Sequence, residues 1–347
     1  MKTALAVACF AWVGMALRLG LAKLTADLNF GITTSTDLHT EQCIRRASAH
    51  GFFLQNMLGC FLIAVVARHR PLLNEHVAAG LSTGLCGSLT TWGTWMQETA
   101  STMLHGDVWM AFVSLFAMLS LSLSSLSLGQ VAANGGMDVT PSIPIRMHFS
   151  HKAAPAAAHR FAEDEAGSDA VRAAEEEEDW ALELSEPPAS REPSAKEPDA
   201  TRLHTLIIGG AAVLVVLAVA LLSICRDLEG LLCMAMAPPG ALLRWLLALG
   251  NPYTAPLPVF TLAANTLACG VEAVSAVMAG RAPSGLGRDA WAALGTGFAG
   301  CLSTVSTFAV ELCTDKLGGL RMRATYFLIS FALAMATLLP PYALARC

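Results

Sequence analysis

Asn56 lies in QNMLGC (Gln55 to Cys60) and Asn265 in ANTLAC (Ala264 to Cys269), two stretches that are otherwise largely apolar. A carboxamide nitrogen carries two N–H donors, which suits a site where an anion exchanges its water for protein groups. A single asparagine in such a stretch usually bonds one helix to another, but two at equivalent places favour ion handling. Hydroxyls on Thr94, Thr307, Ser114, Tyr326 and Ser330 extend the donor set, and Tyr326 and Ser330, four residues apart, share a helix face. Trp92, Trp95, Val305 and Phe308 stand beside the threonines. Large apolar residues at this spacing are usually packing residues.

These residues belong to a phrase written twice. GLCGSLTTWGTW (Gly84 to Trp95) returns as GFAGCLSTVSTF (Gly297 to Phe308), and 297−84, 308−95 and, for Glu98 and Glu311, 311−98 all give 213. An internal repeat indicates two copies of one structural unit. Upstream, GMALRLG (Gly14 to Gly20) pairs with GALLRWL (Gly240 to Leu246), so that Arg18 and Arg244 each follow a glycine by four residues. Gly84, Gly87, Gly297 and Gly300, followed by hydroxyl residues, disfavour a continuous helix. Inside a membrane, such a break is tolerated where it is buried or lines a polar site.

The elements that must hold these groups are membrane spans. The chain has 347 residues, 54% hydrophobic and only 14% charged, which excludes an ordinary soluble domain. Nine stretches are long enough to cross a hydrocarbon core: 3–22, 51–67, 77–103, 108–128, 204–224, 229–249, 256–278, 289–314 and 324–345. Lys2 before an apolar run also fits a signal peptide, but the repeated Gly-x-x-x-Arg favours a retained span. Residues 129–203 carry fifteen acidic and seven basic side chains, including EEEEDW (Glu175 to Trp180), and read as a disordered acidic linker. Several of the ten cysteines sit inside apolar spans, and no spacing suggests a disulfide framework or a thiolate metal site.

The chain thus reads as an all-α polytopic membrane protein. A four-helix unit over 1–128 is followed by the linker, a single span at 204–224 and a second four-helix unit over 229–347. Four crossings return the chain to its starting side, so the unmatched span makes the second unit begin on the opposite side. The repeats are expected to be inverted, an arrangement recurrent in transporters. Basic residues in the short loops are too evenly divided to orient the chain.

The set Gly-x-x-x-Arg, Asn-x-x-(Gly/Ala) and Gly-x-x-Gly-x-Leu-(Ser/Thr)-Thr, found twice in order, resembles the fluoride export proteins of eukaryotes. In that family two copies of the small Fluc (CrcB-type) fluoride channel subunit are fused through an inverting helix. The likeness covers roughly 1–128 and 229–345 and leaves the acidic linker unmatched. It implies a plasma-membrane channel that exports fluoride by passive conduction, not an enzyme, working as a monomeric pseudo-dimer with fluoride and lipid, not nucleic acid, as partners. It further implies a structural sodium ion held by backbone carbonyls of Gly87, Thr90, Gly300 and Ser303. One pore would pair Trp92 with Phe308 and the other Val305 with Trp95, and Arg18 and Arg244 would attract anions into vestibules. In the fourth span of the first unit Met110 and Ser114 replace the family's Tyr-x-x-x-Ser, and the serines of LSLSLSSLSL (Leu119 to Leu128) either compensate or only pack. Glu98 and Glu311 suit capping or packing as well as ion handling, and Glu272, whose counterpart is Ile63, is expected near an interface. A proton-coupled anion transporter is the alternative function.

Overall fold

The computed structural model describes residues 1–27, 52–134 and 228–346. The acidic linker from 135 onward and the expected span 204–224 lie outside the described residues. In the first half, α1 (Lys2–Asp27) and α2 (Phe52–His69) are followed by α3 (Glu75–Ala79). The last continues through a π-helical stretch, Gly80–Cys86, and a single turn, Gly87–Leu89. After a break come α4 (Trp92–Leu104) and α5 (Val108–Ala133). The second half repeats the order: α6 (Leu228–Ala248), α7 (Val259–Arg281), and α8 (Leu286–Ala293) running through π-helical Leu294–Ala299 and the turn Gly300–Leu302. A second break precedes α9 (Ser306–Cys313) and α10 (Leu320–Arg346).

Seven helical stretches among the described residues are long and apolar enough to cross a membrane: Lys2–Leu24, Phe52–Leu72, Val108–Ala133, Leu228–Ala248, Val259–Arg281, Leu286–Cys313 and Leu320–Ala345. All are among the nine expected. The expected span 77–103 is helical on both sides of its break but is not one of the seven. Ser82, Thr83, Ser88, Thr90, Thr91, Thr94, Gln97 and Glu98 make it more polar than its counterpart.

Each half closes on itself through glycines. A side chain at Gly14 of α1 would collide with the Leu85 carbonyl, and one at Gly84 would reach the Val7 carbonyl at 2.7 Å. In the second half Gly240 lies on the Phe298 carbonyl, and a side chain at Gly297 would approach the Cys233 carbonyl to 2.6 Å. Small residues let helices pack at backbone distance where lipid gives no hydrophobic drive. The α1–α6 seam is lined by Val7, Ala11, Met15, Cys233, Ala237 and Ala241. A larger cluster joins both halves around Trp92, Trp95, Phe308 and Tyr326. In α5, Ser122 and Ser125 are buried while Ser120, Ser124 and Ser127 face outward. Ser122 lies beside Cys60 of α2, and Gly129 sits on the Phe61 carbonyl. The buried serines of this stretch therefore serve helix packing.

Gly14→Val should destabilise the protein by about 1–3 kcal/mol through overpacking, read as a lower thermal midpoint in detergent. Gly270→Ala, inside α7 at a site with nothing within 4 Å of the added carbon, should hold or slightly raise that midpoint, since alanine favours a helix interior over glycine.

Candidate functional site

The two breaks meet. Thr90 and Thr91 are extended (φ −90°, ψ 154° and φ −144°, ψ 118°), as is Ser303 (φ −83°, ψ 161°). Extended backbone between helices leaves N–H and C=O groups without helical partners, and lipid offers none. The asparagines meet this need first. Asn56 Oδ1 accepts the Thr91 N–H at 2.8 Å and Nδ2 donates to the Thr91 carbonyl at 3.3 Å. Asn265 does the same at Thr304, at 2.8 and 3.2 Å. One proton on each Nδ2 is used in this way, so half of the expected donor capacity remains for a ligand.

The halves then cap one another. Thr90 Oγ1 accepts the N–H groups of Val305 and Ser306 at 3.2 and 3.3 Å, at the start of α9. Ser303 Oγ accepts the Gly93 N–H at 3.2 Å, at the start of α4. Thr90 also meets the Thr304 and Ser306 hydroxyls at 3.2 Å, and Thr91 meets Ser303 at 3.3 Å. Within each half, Thr91 and Thr304 cap their own helices by accepting the N–H groups of Thr94 and Thr307, both at 3.3 Å.

These bonds release four carbonyls. In a continuous helix the oxygens of Gly87, Thr90, Gly300 and Ser303 would accept from the N–H four residues on, that is from Thr91, Thr94, Thr304 and Thr307. All four of those donors are engaged elsewhere. Two oxygens from each half thus lack their helical partners where the halves meet, a donor set suited to a hard cation.

Arg18 and Arg244 form the second exchange between halves. Both are buried, 4% and 3% exposed, and so are not the rims of open vestibules. The reason lies in the π-helical stretches. The Gly87 N–H bonds to the carbonyls of Ser82 and Gly84 and skips Thr83, and the Gly300 N–H likewise skips Thr296. Arg244 donates to the vacated Thr83 carbonyl, and Arg18 to that of Thr296. Each guanidinium rests against the bare Cα of Gly87 or Gly300. Nε and Nη1 of both arginines have no hydrogen-bond partner among the described residues, which leaves free guanidinium N–H groups beside the crossing.

The four large residues lie around it, all buried. Trp92 packs on Phe308 with ring centroids 4.6 Å apart and meets Trp95 edge-on at 5.1 Å. Phe308 packs on Tyr326 at 5.0 Å. Val305 interrupts any matching sequence of rings on the other side. Tyr326 donates to Glu311 Oε2 at 2.8 Å, Thr261 donates to Oε1 at 2.6 Å, and Ser330 donates to the Tyr326 carbonyl at 2.7 Å. Glu311 therefore belongs to the same polar track. Ser114 is half-buried on α5, away from these bonds. Thr261 was not foreseen, because nothing marks one threonine in an apolar run before Glu311 is placed beside it.

The chain matches the family described as CrcB-like protein, Camphor Resistance (CrcB), over residues 5–130 and 231–340, one match for each half. The chain belongs to the CrcB-like family. Among its similar proteins, the one from Desulfotalea psychrophila is 32% identical over 90 residues, which is 25% of this chain and 70% of that protein. One from Methylobacterium radiotolerans is 33% identical over 101 residues, 27% of this chain and 71% of its own length. One from Geobacter sulfurreducens is 29% identical over 136 residues, 38% of this chain and 98% of its own length. All three are named fluoride-specific ion channel FluC. No solved structure matches the chain. Each half is thus a CrcB-like unit, and the reciprocal bonds above join two such units of one polypeptide.

Thr90→Val should remove the bonds to Val305 and Ser306 and cost about 1–3 kcal/mol, the penalty for buried donors left unpaired. Thr90→Ser keeps the oxygen and should stay near wild type. Thermal unfolding in detergent reads the difference.

Proposed function

We propose that the protein is a fluoride channel, the activity for which its relatives are named. The observation that carries this reading is the fixed crossing of two broken helices, with asparagine, threonine and aromatic groups contributed by both halves. Fluoride is small and strongly hydrated, so a route must replace its water with closely placed donors. The unused Asn56 and Asn265 protons, the Thr94 and Thr307 hydroxyls and the electropositive ring edges of Trp92 and Phe308 offer such donors. The unpartnered guanidinium N–H groups add an attractive field. Because each break is held by reciprocal bonds, the pathway is rigid, which favours passive conduction over a proton-coupled alternating mechanism.

In this reading the two four-helix units are inverted relative to each other, 204–224 being the ninth span that turns the second over. The protein is a eukaryotic-type fused pseudo-dimer, complete as a monomer, and acts in the plasma membrane. A sodium ion bound to the carbonyls of Gly87, Thr90, Gly300 and Ser303 would supply central positive charge and hold the halves together. The four oxygens that have lost their helical partners support that assignment.

Liposomes carrying the purified protein should release fluoride and retain chloride under a voltage set by a potassium gradient. Equal chloride release, or no fluoride release, would sink the reading. The aromatic contacts give a second expectation. Phe308→Ile breaks the Trp92–Phe308–Tyr326 series and should remove most fluoride flux at matched protein level. Trp95→Ile, whose cross-half partner is Val305, should remove little; equal partial losses would show two equivalent pores.

A further inference from the structure

A cavity of about 620 Å³ lies where α4 of the first half meets α7 of the second. Thr94, Gln97, Glu272 and Ser275 line its inner part, and Ser284, Gly285, Arg288 and Asp289 its outer part, with Ser284 and Gly285 exposed. Glu272 lies against Gly93, where a side chain would meet its carboxyl oxygens at 2.5–2.6 Å. It is 3% exposed, and neither oxygen makes a hydrogen bond of ordinary geometry, the Thr94 hydroxyl being the nearest polar side chain that could donate to it. Gln97 Nε2 and the Tyr342 hydroxyl, also buried, make no hydrogen bond of ordinary geometry, though Tyr342 lies beside Gln97 and faces Glu272. Tyr342 ends the buried ridge of α10 formed by Tyr326, Ser330, Ala334 and Leu338.

The matching place on the other side of the crossing, likewise built from both halves, has nothing comparable among the described residues. With the offsets set by the matched residues (265−56 is 209, 308−95 is 213, 330−114 is 216), Glu272 corresponds to Ile63, Gln97 to Val310 and Tyr342 to Leu126. All three counterparts are buried apolar residues. Three polar groups without ordinary hydrogen bonds on one side, against three aliphatic residues on the other, are a costly arrangement unless something fills the space between them.

We propose that Glu272, Gln97 and Tyr342 form a fluoride station in which the ion is held together with a proton on Glu272. This deepens the channel reading and rests on it. An ionised carboxylate repels an anion in a low-dielectric site. A carboxylic acid instead donates O–H to fluoride, joined by the Gln97 N–H and the Tyr342 O–H. Proton and fluoride each make the other's binding more favourable. The proton comes from solution through the cavity and returns there, so no proton need cross with the ion. The other charged or titratable groups facing Glu272 are Arg18 of α1, Tyr342 of α10 and Cys269 of α7, with Glu229 of α6 and Arg288 and Asp289 of α8 in the cavity wall. Substituting Glu272 leaves all of these in place.

The test is fluoride efflux from proteoliposomes at equal pH on both sides, with protein-free liposomes subtracting leakage of hydrogen fluoride. Wild-type flux should rise at least about threefold from about pH 8 to about pH 6. Glu272→Gln should flatten that profile while keeping flux no lower than wild type at the acid end. Glu272→Ile, which copies the residue packed at the matching place, should also lose the pH dependence, with lower flux throughout. A wild-type pH profile retained in a folded, conducting variant overturns the proposal, as does flux lost at every pH in Glu272→Gln. No fluoride flux from wild type and all variants overturns the channel reading itself, and this station with it.

Discussion

Every backbone polar group inside a membrane must find a partner within the protein, and the structure is organised around four places where the helical pattern breaks. Two are the extended breaks at Thr90–Thr91 and Ser303–Thr304, and two are the π-helical stretches just before them. Each releases donors or acceptors, and each is answered by the opposite half. Thr90 takes N–H groups of α9, Ser303 takes one of α4, Arg18 donates to Thr296 and Arg244 to Thr83. A fifth case follows the same rule. Pro238 has no N–H, so the Met234 carbonyl lies open and accepts the Trp12 indole N–H at 3.0 Å. Neither half satisfies all of its own backbone, which explains why two units are needed to make one crossing.

That dependence also accounts for the glycines. Gly14 and Gly240 bring α1 and α6 down onto the π-helical stretches, and only from there can Arg18 and Arg244 extend past the seam. Gly87 and Gly300 then offer bare backbone against which the guanidinium groups lie. A Gly-x-x-x-Arg pair is thus one device: the glycine sets the distance between helices and the arginine uses it. The arginines are accommodated in a buried place because each has a carbonyl made available by a π-bulge in the opposite half.

Much of this was legible in the sequence because repetition selects the relevant residues. The constant offset of 213 singled out the phrase containing both breaks, and the apolar runs marked the helices in advance. The asparagines, threonines and arginines were correctly paired between halves. Their partners were not legible. A vestibule was expected for Arg18 and Arg244 because they stand near the ends of their apolar runs, and nothing in linear spacing tells that a π-bulge in the other half lies open to receive them. The asparagines were read as donors for an ion, but half of that capacity goes to the backbone of Thr91 and Thr304. Residues outside the repeat escaped for the opposite reason. Gln97 and Tyr342 have apolar counterparts, so a search for what is shared passes over them, and Glu272 is marked only by its mismatch with Ile63, which suggests an interface but not these neighbours.

Fusing two units in one chain separates two demands that a symmetric dimer must meet with the same residues. The seam needs complementary groups from both sides, and there the halves stay alike: Asn56 and Asn265, Thr91 and Thr304, Arg18 and Arg244, Gly87 and Gly300, with Thr90 and Ser303 both supplying a hydroxyl. Away from the seam no reciprocal bond ties one half to the other, and there they differ. Thr261 stands against Phe52, Tyr326 against Met110 and Glu272 against Ile63. The differences run in one direction along α7 and α10, which carry the hydroxyl, phenol and carboxyl groups while α2 and α5 carry phenyl, aliphatic and thioether groups. Backbone satisfaction therefore holds the frame nearly symmetric, and the pathways built on it are free to become unequal.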